Sequence, residues 1–176
     1  MNIAALFFDL GDVIMREETE VKDAGQNTLR AELVDGMGDA LRVLKAHGYK
    51  IALVADTRPQ TARNVLRQHD LYDLFDAFAI SEEIGCEKPD PRMFQAALAA
   101  LQIAPSDYGR VLMVGNRLYR DVRGANDLGL RSVWFHWNAR YAARDRDCDD
   151  QPTYQVRSAR ELVELIARVE NDLVDK

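Results

Sequence analysis

Cysteine and histidine are scarce: 176 residues hold two cysteines, Cys86 and Cys148, and three histidines. Two cysteines without metal-type spacing make neither a disulfide framework nor a zinc site, and such low usage fits a reducing cytoplasm. No apolar run approaches the ~18 residues that a membrane-spanning helix needs, and no basic stretch at the amino end marks a secretory leader. The expectation is a cytoplasmic protein without a membrane partner. Positive charge is also in short supply, with 23 Lys and Arg against 29 Asp and Glu and a net charge of −6. That balance excludes the basic footprint of a nucleic-acid binder. An anionic substrate would have to be met by local positive groups or a bound cation. Internal repeats and low-complexity tracts are absent.

What is present is enough for a core: the hydrophobic content is 47%, and the length points to one domain spanning 1–176. Residues 3–8 form an apolar run that reads as a buried central strand and ends abruptly at Asp9-Leu10-Gly11-Asp12. The stretch 16–35 is polar and weakly periodic, and reads as a loop with one helical turn. Apolar residues recur at helical spacing over 37–46, with Gly48 as a stop signal. A second apolar strand covers 50–55. Thr57 and Gln60 then have capping-box spacing, with Pro59 in the first turn of a helix over 59–69. A strand over 75–80 leads to a loop, 81–90, and Asp90-Pro91 reads as the cap and first residue of a helix to about 101. A strand over 110–114, a helix over 119–128 and a strand over 131–135 follow. Residues 138–152 read as a charged, exposed loop, 154–156 as a short edge strand, and Ser158 with Glu161 as a second capping box opening an amphipathic helix to about 173.

Strands alternating with helices imply an α/β fold, a Rossmann-like three-layer sandwich around a central parallel sheet. Right-handed crossovers place the loops that follow the strands along one sheet edge, which is where ligands bind in open α/β sheets. That edge would gather Asp9, Asp12, Asp56, Thr57, Lys88, Asn116 and Asp121. Several carboxylates with one lysine suit phosphoryl chemistry. A hard divalent cation prefers oxygen ligands, lysine adds a point charge, and an aspartate can act as a covalent nucleophile.

The segment Phe7-Phe8-Asp9-Leu10-Gly11-Asp12-Val13-Ile14 resembles the first motif of the haloacid dehalogenase-like (HAD) hydrolases. The strand 50–54 leads into what resembles the second. Ser81 to Gly85 with Lys88-Pro89-Asp90-Pro91 and Phe94 resembles the third, and Val114-Gly115-Asn116 through Asp121, Gly124 and Ala125 the fourth. The resemblance covers about residues 3–137. It implies a Mg²⁺-dependent hydrolase, most simply a phosphatase of small or macromolecular phosphorylated substrates. Asp9 would be nucleophile and metal ligand, and Lys88 the catalytic and phosphate-binding lysine. Asn116 and Asp121 would help to hold the metal, with the backbone carbonyl of Gly11. Asp56, Thr57 and Asn116 would face the substrate with Lys88, although capping is at least as good a reading of Asp56 and Thr57.

Three positions depart from that pattern. Gly11 stands where phosphatases of this family usually have an aspartate acting as general acid and base, and Asp12 is one residue too far along. Ala55 replaces a serine or threonine, and Asn116 replaces a carboxylate. These departures imply a slow or narrow phosphatase, or, as the alternative, an inactive scaffold with a binding or regulatory role. The short span between the first two motifs leaves no substantial cap domain, only a vestige in 16–35. An open site of this kind suits a macromolecular substrate, or a homo-oligomer in which a neighbour acts as lid, and it disfavours dehalogenation of small haloacids.

Overall fold

The computed structural model describes residues 1–141 and 149–172. In chain order its main elements begin with strand β1 (Ala5–Phe8), a hairpin of β2 (Val21–Lys22) and β3 (Thr28–Arg30), helix α1 (Met37–Ala46), β4 (Ile51–Ala55) and α2 (Pro59–Gln68). They continue with β5 (Ala77–Ile80), a single helical turn α3 (Ser81–Ile84), α4 (Pro91–Ala100), β6 (Val111–Gly115), α5 (Arg123–Asp127), β7 (Arg131–Phe135), β8 (Tyr154–Val156) and α6 (Ala159–Asp172). Six strands form one sheet in the order β5-β4-β1-β6-β7-β8, every pairing parallel.

Alternation along β1 divides the core. Leu6 and Phe8 point into one buried cluster with Met37, Leu41, Leu44, Val65, Leu66, Leu162 and Ile166 from α1, α2 and α6. Ala5 and Phe7 point into the other, with Met93, Phe94, Ala97, Leu98 and Ala125 from α4 and α5. A strand buried on both faces has no polar positions to spare, which is why β1, β4 and β6 are apolar throughout. The sandwich therefore has three layers, with β1 at its centre and the end of β1 at the middle of the ligand-binding edge.

Several local signals are realised. Asp90 accepts the Arg92 N–H at 3.0 Å, and Ser158 accepts the Glu161 N–H at 3.2 Å while the Glu161 carboxylate takes the Arg157 N–H. Others are not. Thr57 does not cap α2: the cap residue is Arg58, which makes no side-chain capping bond, and Gln60 turns along the helix to Asn64. The third core strand starts later than expected because Tyr72–Leu74 coils into a 3₁₀ turn before it. The helix expected over 119–128 opens with a wide π turn, Leu118–Val122, before α5.

The largest difference lies in 16–35. A 3₁₀ turn at Glu17–Thr19 is followed by the β2–β3 hairpin, folded antiparallel with a register shift. The hairpin is pinned to α2: Thr28 N–H donates to Thr61 Oγ1 at 2.9 Å, Asn64 Nδ2 donates to the Thr28 carbonyl, and Gln68 bonds both the N–H and the carbonyl of Ala31. Two-residue strands carry too little pattern to be read from sequence, and these anchors are all long-range. Part of the charged loop expected over 138–152, including Cys148, and the end of the last helix lie outside the described residues. No helix among the described residues is long and apolar enough to cross a membrane.

Candidate active site

Asp9 is the first residue beyond β1, and the carboxyl ends of β1, β4 and β6 open onto a cavity of about 390 Å³. Asp9, Gly11, Asp56, Thr57, Lys88, Asn116 and Asp121 all line it, so the topology brings seven of the expected residues to one place. Lys88 is the hub. Its Nζ donates to Asp9 Oδ1 at 2.8 Å, to Asp121 Oδ1 at 2.7 Å and to the Val54 carbonyl at 2.8 Å, with the lysine 3% exposed. Each ammonium hydrogen has an acceptor, which is what a buried lysine needs.

One ammonium thus serves two carboxylates, and the balance shows in their protonation. Burial works against the Lys88 charge, but Asp121 and Asp9 outweigh it and hold the amine charged well above its ordinary range. Burial pushes the Asp9 carboxyl up to about 7; Lys88 opposes that shift and the Asp121 charge adds to it.

The neighbours of this triad are fixed by backbone. Asp121 Oδ2 accepts the Arg117 N–H at 3.0 Å. Gly115 allows the approach: a Cβ there would overlap the Asp121 side chain. Asp56 bridges the third-motif loop and the π turn, accepting the Lys88 N–H at 2.9 Å and Arg120 at 2.9 Å. Arg120 also reaches Glu87 at 3.2 Å. The Asn116 carbonyl is held by the Trp134 indole at 3.1 Å. Arg120 was not legible in the sequence because its role depends on the turn preceding α5, where helical periodicity says nothing about which residue faces inward.

Asp12, which the sequence places beside the site, lies outside it. It is fully buried outside the cavity lining, with φ at +49°. Its carboxylate takes the Glu17 N–H at 3.0 Å and Arg140 at 2.5 Å, and its carbonyl takes the Trp137 indole. It is a clamp between the turn at 12–18 and the segment after β7. His136 also stays out of the main cavity. It stacks on Trp134, ring centroids 4.1 Å apart, and both line a neighbouring groove.

The clamp delivers a carboxylate that sequence reading passed over. Glu17, one residue in a charged run at 16–20, lines the main cavity, and its Oε2 accepts the Tyr141 hydroxyl. A Cβ at position 11 would sit 3.0 Å from Glu17 Cδ and would overlap Oε1. Burial raises the Glu17 carboxyl above its ordinary range.

A haloacid dehalogenase-like hydrolase profile matches residues 10–129. The chain belongs to this family. A glyceraldehyde 3-phosphate phosphatase from Pyrococcus furiosus is 32% identical over 135 residues, 77% of this HAD-like chain and 55% of that enzyme. A phosphoserine phosphatase from Thermus thermophilus is 35% identical over 118 residues, covering 67% and 45%. The HAD-like chain therefore spans about half the length of the curated relatives it matches. A solved HAD phosphatase from Thermococcus onnurineus superposes with a TM-score of 0.73 over 92% of this chain and 97% of that one, at 20% identity, which speaks for the fold.

The family implies a metal, and the donors fit one. Asp9, Asp121, the Asn116 amide and the Gly11 carbonyl offer hard oxygen atoms at one cavity. Among the described residues no group of three His, Cys, Asp or Glu is placed to hold a metal; the carboxylates in this donor set are those of Asp9 and Asp121. Magnesium is characteristically held by one or two carboxylates, with substrate phosphate and water completing the shell.

Proposed function

We propose that this HAD-like protein is a magnesium-dependent phosphatase that cleaves phosphate monoesters through an aspartyl-phosphate on Asp9. The single observation that carries this reading is the Lys88 ammonium shared by Asp9 and Asp121 at 2.8 and 2.7 Å, at the mouth of a parallel sheet. It puts a carboxylate where a ligand enters, beside a fixed positive charge. The phosphatase names of the relatives point the same way.

Asp9 attacks the phosphorus, and the ester oxygen leaves. Lys88 orients the nucleophile and offsets charge on the phosphoryl oxygens. Asp121 and Asp56 hold Lys88 and Arg120 in place. Thr57 and Asn116 face the phosphate. Magnesium, when bound by Asp9, Asn116, Asp121 and the Gly11 carbonyl, supplies positive charge that offsets repulsion between carboxylate and phosphate. Water then attacks the phosphorus of the acyl phosphate and releases inorganic phosphate and free Asp9. The chain works as one hydrolase domain in the cytoplasm, on a phosphorylated substrate admitted past the β2–β3 hairpin.

The test is turnover of an aryl phosphate with magnesium, with Asp9→Asn as control. Wild type releases phosphate, and the variant loses at least ~10³-fold. No turnover by wild type, or unchanged turnover by the variant, overturns the reading.

A further inference from the structure

We infer that Glu17 is the catalytic proton carrier of this site, filling from a neighbouring turn the space that a side chain on residue 11 would take. The inference rests on the phosphatase reading above. Expelling an alkoxide requires a proton, and freeing the acyl phosphate requires that a water lose one; a carboxyl group facing the reacting phosphorus can do both.

The other carboxylates at the site are committed. Asp9 and Asp121 share Lys88. Asp56 holds Arg120 and the Lys88 N–H. Glu20 takes the Thr28 hydroxyl and lies 3.0 Å from Lys22. Glu17 forms no ion pair among the described residues. One of its oxygens is fixed by a neutral phenol, that of Tyr141. The other, Oε1, lies against Gly11, two residues from the nucleophile. The turn that carries it is held by Asp12, which accepts the Glu17 N–H at 3.0 Å. Gly11 is the counterpart of this placement: any side chain there would displace the Glu17 carboxyl.

The proton balance closes. As Asp9 bonds to phosphorus and the ester P–O bond breaks, the Glu17 carboxyl gives its proton to the departing oxygen, leaving an alcohol and a carboxylate. Water then bonds to phosphorus, the bond from Asp9 breaks, and Glu17 takes a proton from that water. Phosphate leaves and Glu17 is again protonated.

Turnover of glycerol phosphate and of p-nitrophenyl phosphate by Glu17→Gln tests this. The alkyl ester needs its leaving oxygen protonated, whereas nitrophenolate leaves readily without a proton. The alkyl kcat/KM, which reads only the steps up to alcohol release, should therefore fall ~10²–10⁴-fold, and the ratio of alkyl to aryl kcat/KM at least tenfold. A second arm reads the shared space through stability. Gly11→Asp lowers the thermal midpoint, and the double variant Gly11→Asp, Glu17→Ala recovers it and regains alkyl turnover over Glu17→Ala alone. Equal loss of kcat/KM on both esters, undiminished alkyl kcat/KM in Glu17→Gln, or a double variant as unstable as Gly11→Asp overturns the inference. Loss of turnover in Asp9→Asn alongside a normal Glu17→Gln overturns it and leaves the phosphatase reading standing; a wild type inert on both esters overturns both.

Discussion

At the scale of single residues, the site is maintained at a cost to the fold. Asp9 keeps its proton up to about pH 7 in the folded protein, whereas an ordinary carboxyl in the unfolded chain loses it near pH 4. Between those limits the unfolded chain binds fewer protons than the folded one, so this group lowers stability as pH rises through the window. Removing the charge removes the cost. In metal-free buffer, Asp9→Asn should be more stable than wild type at pH 7.5, by on the order of 2 kcal/mol, with the gain shrinking toward pH 5. Thermal unfolding at the two pH values measures it. Asp9 and Lys88 were legible because strand alternation and strand-end loops place them with no knowledge of packing. Glu17 was not, since what sets it apart from Glu18 and Glu20 is the turn built on a buried Asp12 in left-handed conformation, and five residues of charged sequence carry no such signal.

Among the elements, the β2–β3 hairpin stands at the rim of the site. Its edge lines the cavity through Glu20, Lys22 and Thr28, and it depends on α2 for its footing. Thr28 is 1% and Thr61 5% exposed, so the Thr28 N–H has little recourse to water. Thr61→Val, which keeps the shape and removes the acceptor, should cost about 1–3 kcal/mol, measured by denaturant unfolding, and should weaken substrate binding as the hairpin loosens. The long apolar strands and the amphipathic helices were readable from periodicity alone. The hairpin was not, because its four outermost strand positions are exposed and its stability comes from side chains on another element.

For the whole molecule, the residues leading into the first strand are fastened to the last helix. Glu170 on α6 accepts the Asn2 N–H at 2.5 Å and the Ile3 N–H at 3.0 Å, and its carbonyl takes the Asn2 amide at 3.1 Å. Glu170→Ala leaves the Asn2 and Ile3 N–H groups, just ahead of β1, without their acceptor and should lower stability by about 1–3 kcal/mol with little change in turnover by the folded protein, as calorimetry and turnover measured side by side would show. The parallel α/β class follows from alternation of strands and helices, and so does the gathering of Asp9, Lys88 and Asp121 at one edge. The order β5-β4-β1-β6-β7-β8 does not follow, because it depends on which way each crossover turns after leaving its strand.

Positions 11 and 17 draw on a single parcel of space, so a larger residue at 11 calls for a smaller one at 17. A library randomised at residue 11 would favour glycine, because any Cβ there pushes the Glu17 carboxyl aside. One randomised at both positions would return mirror solutions, small with large and large with small. For anyone reshaping this protein, the two codons are a single unit of choice.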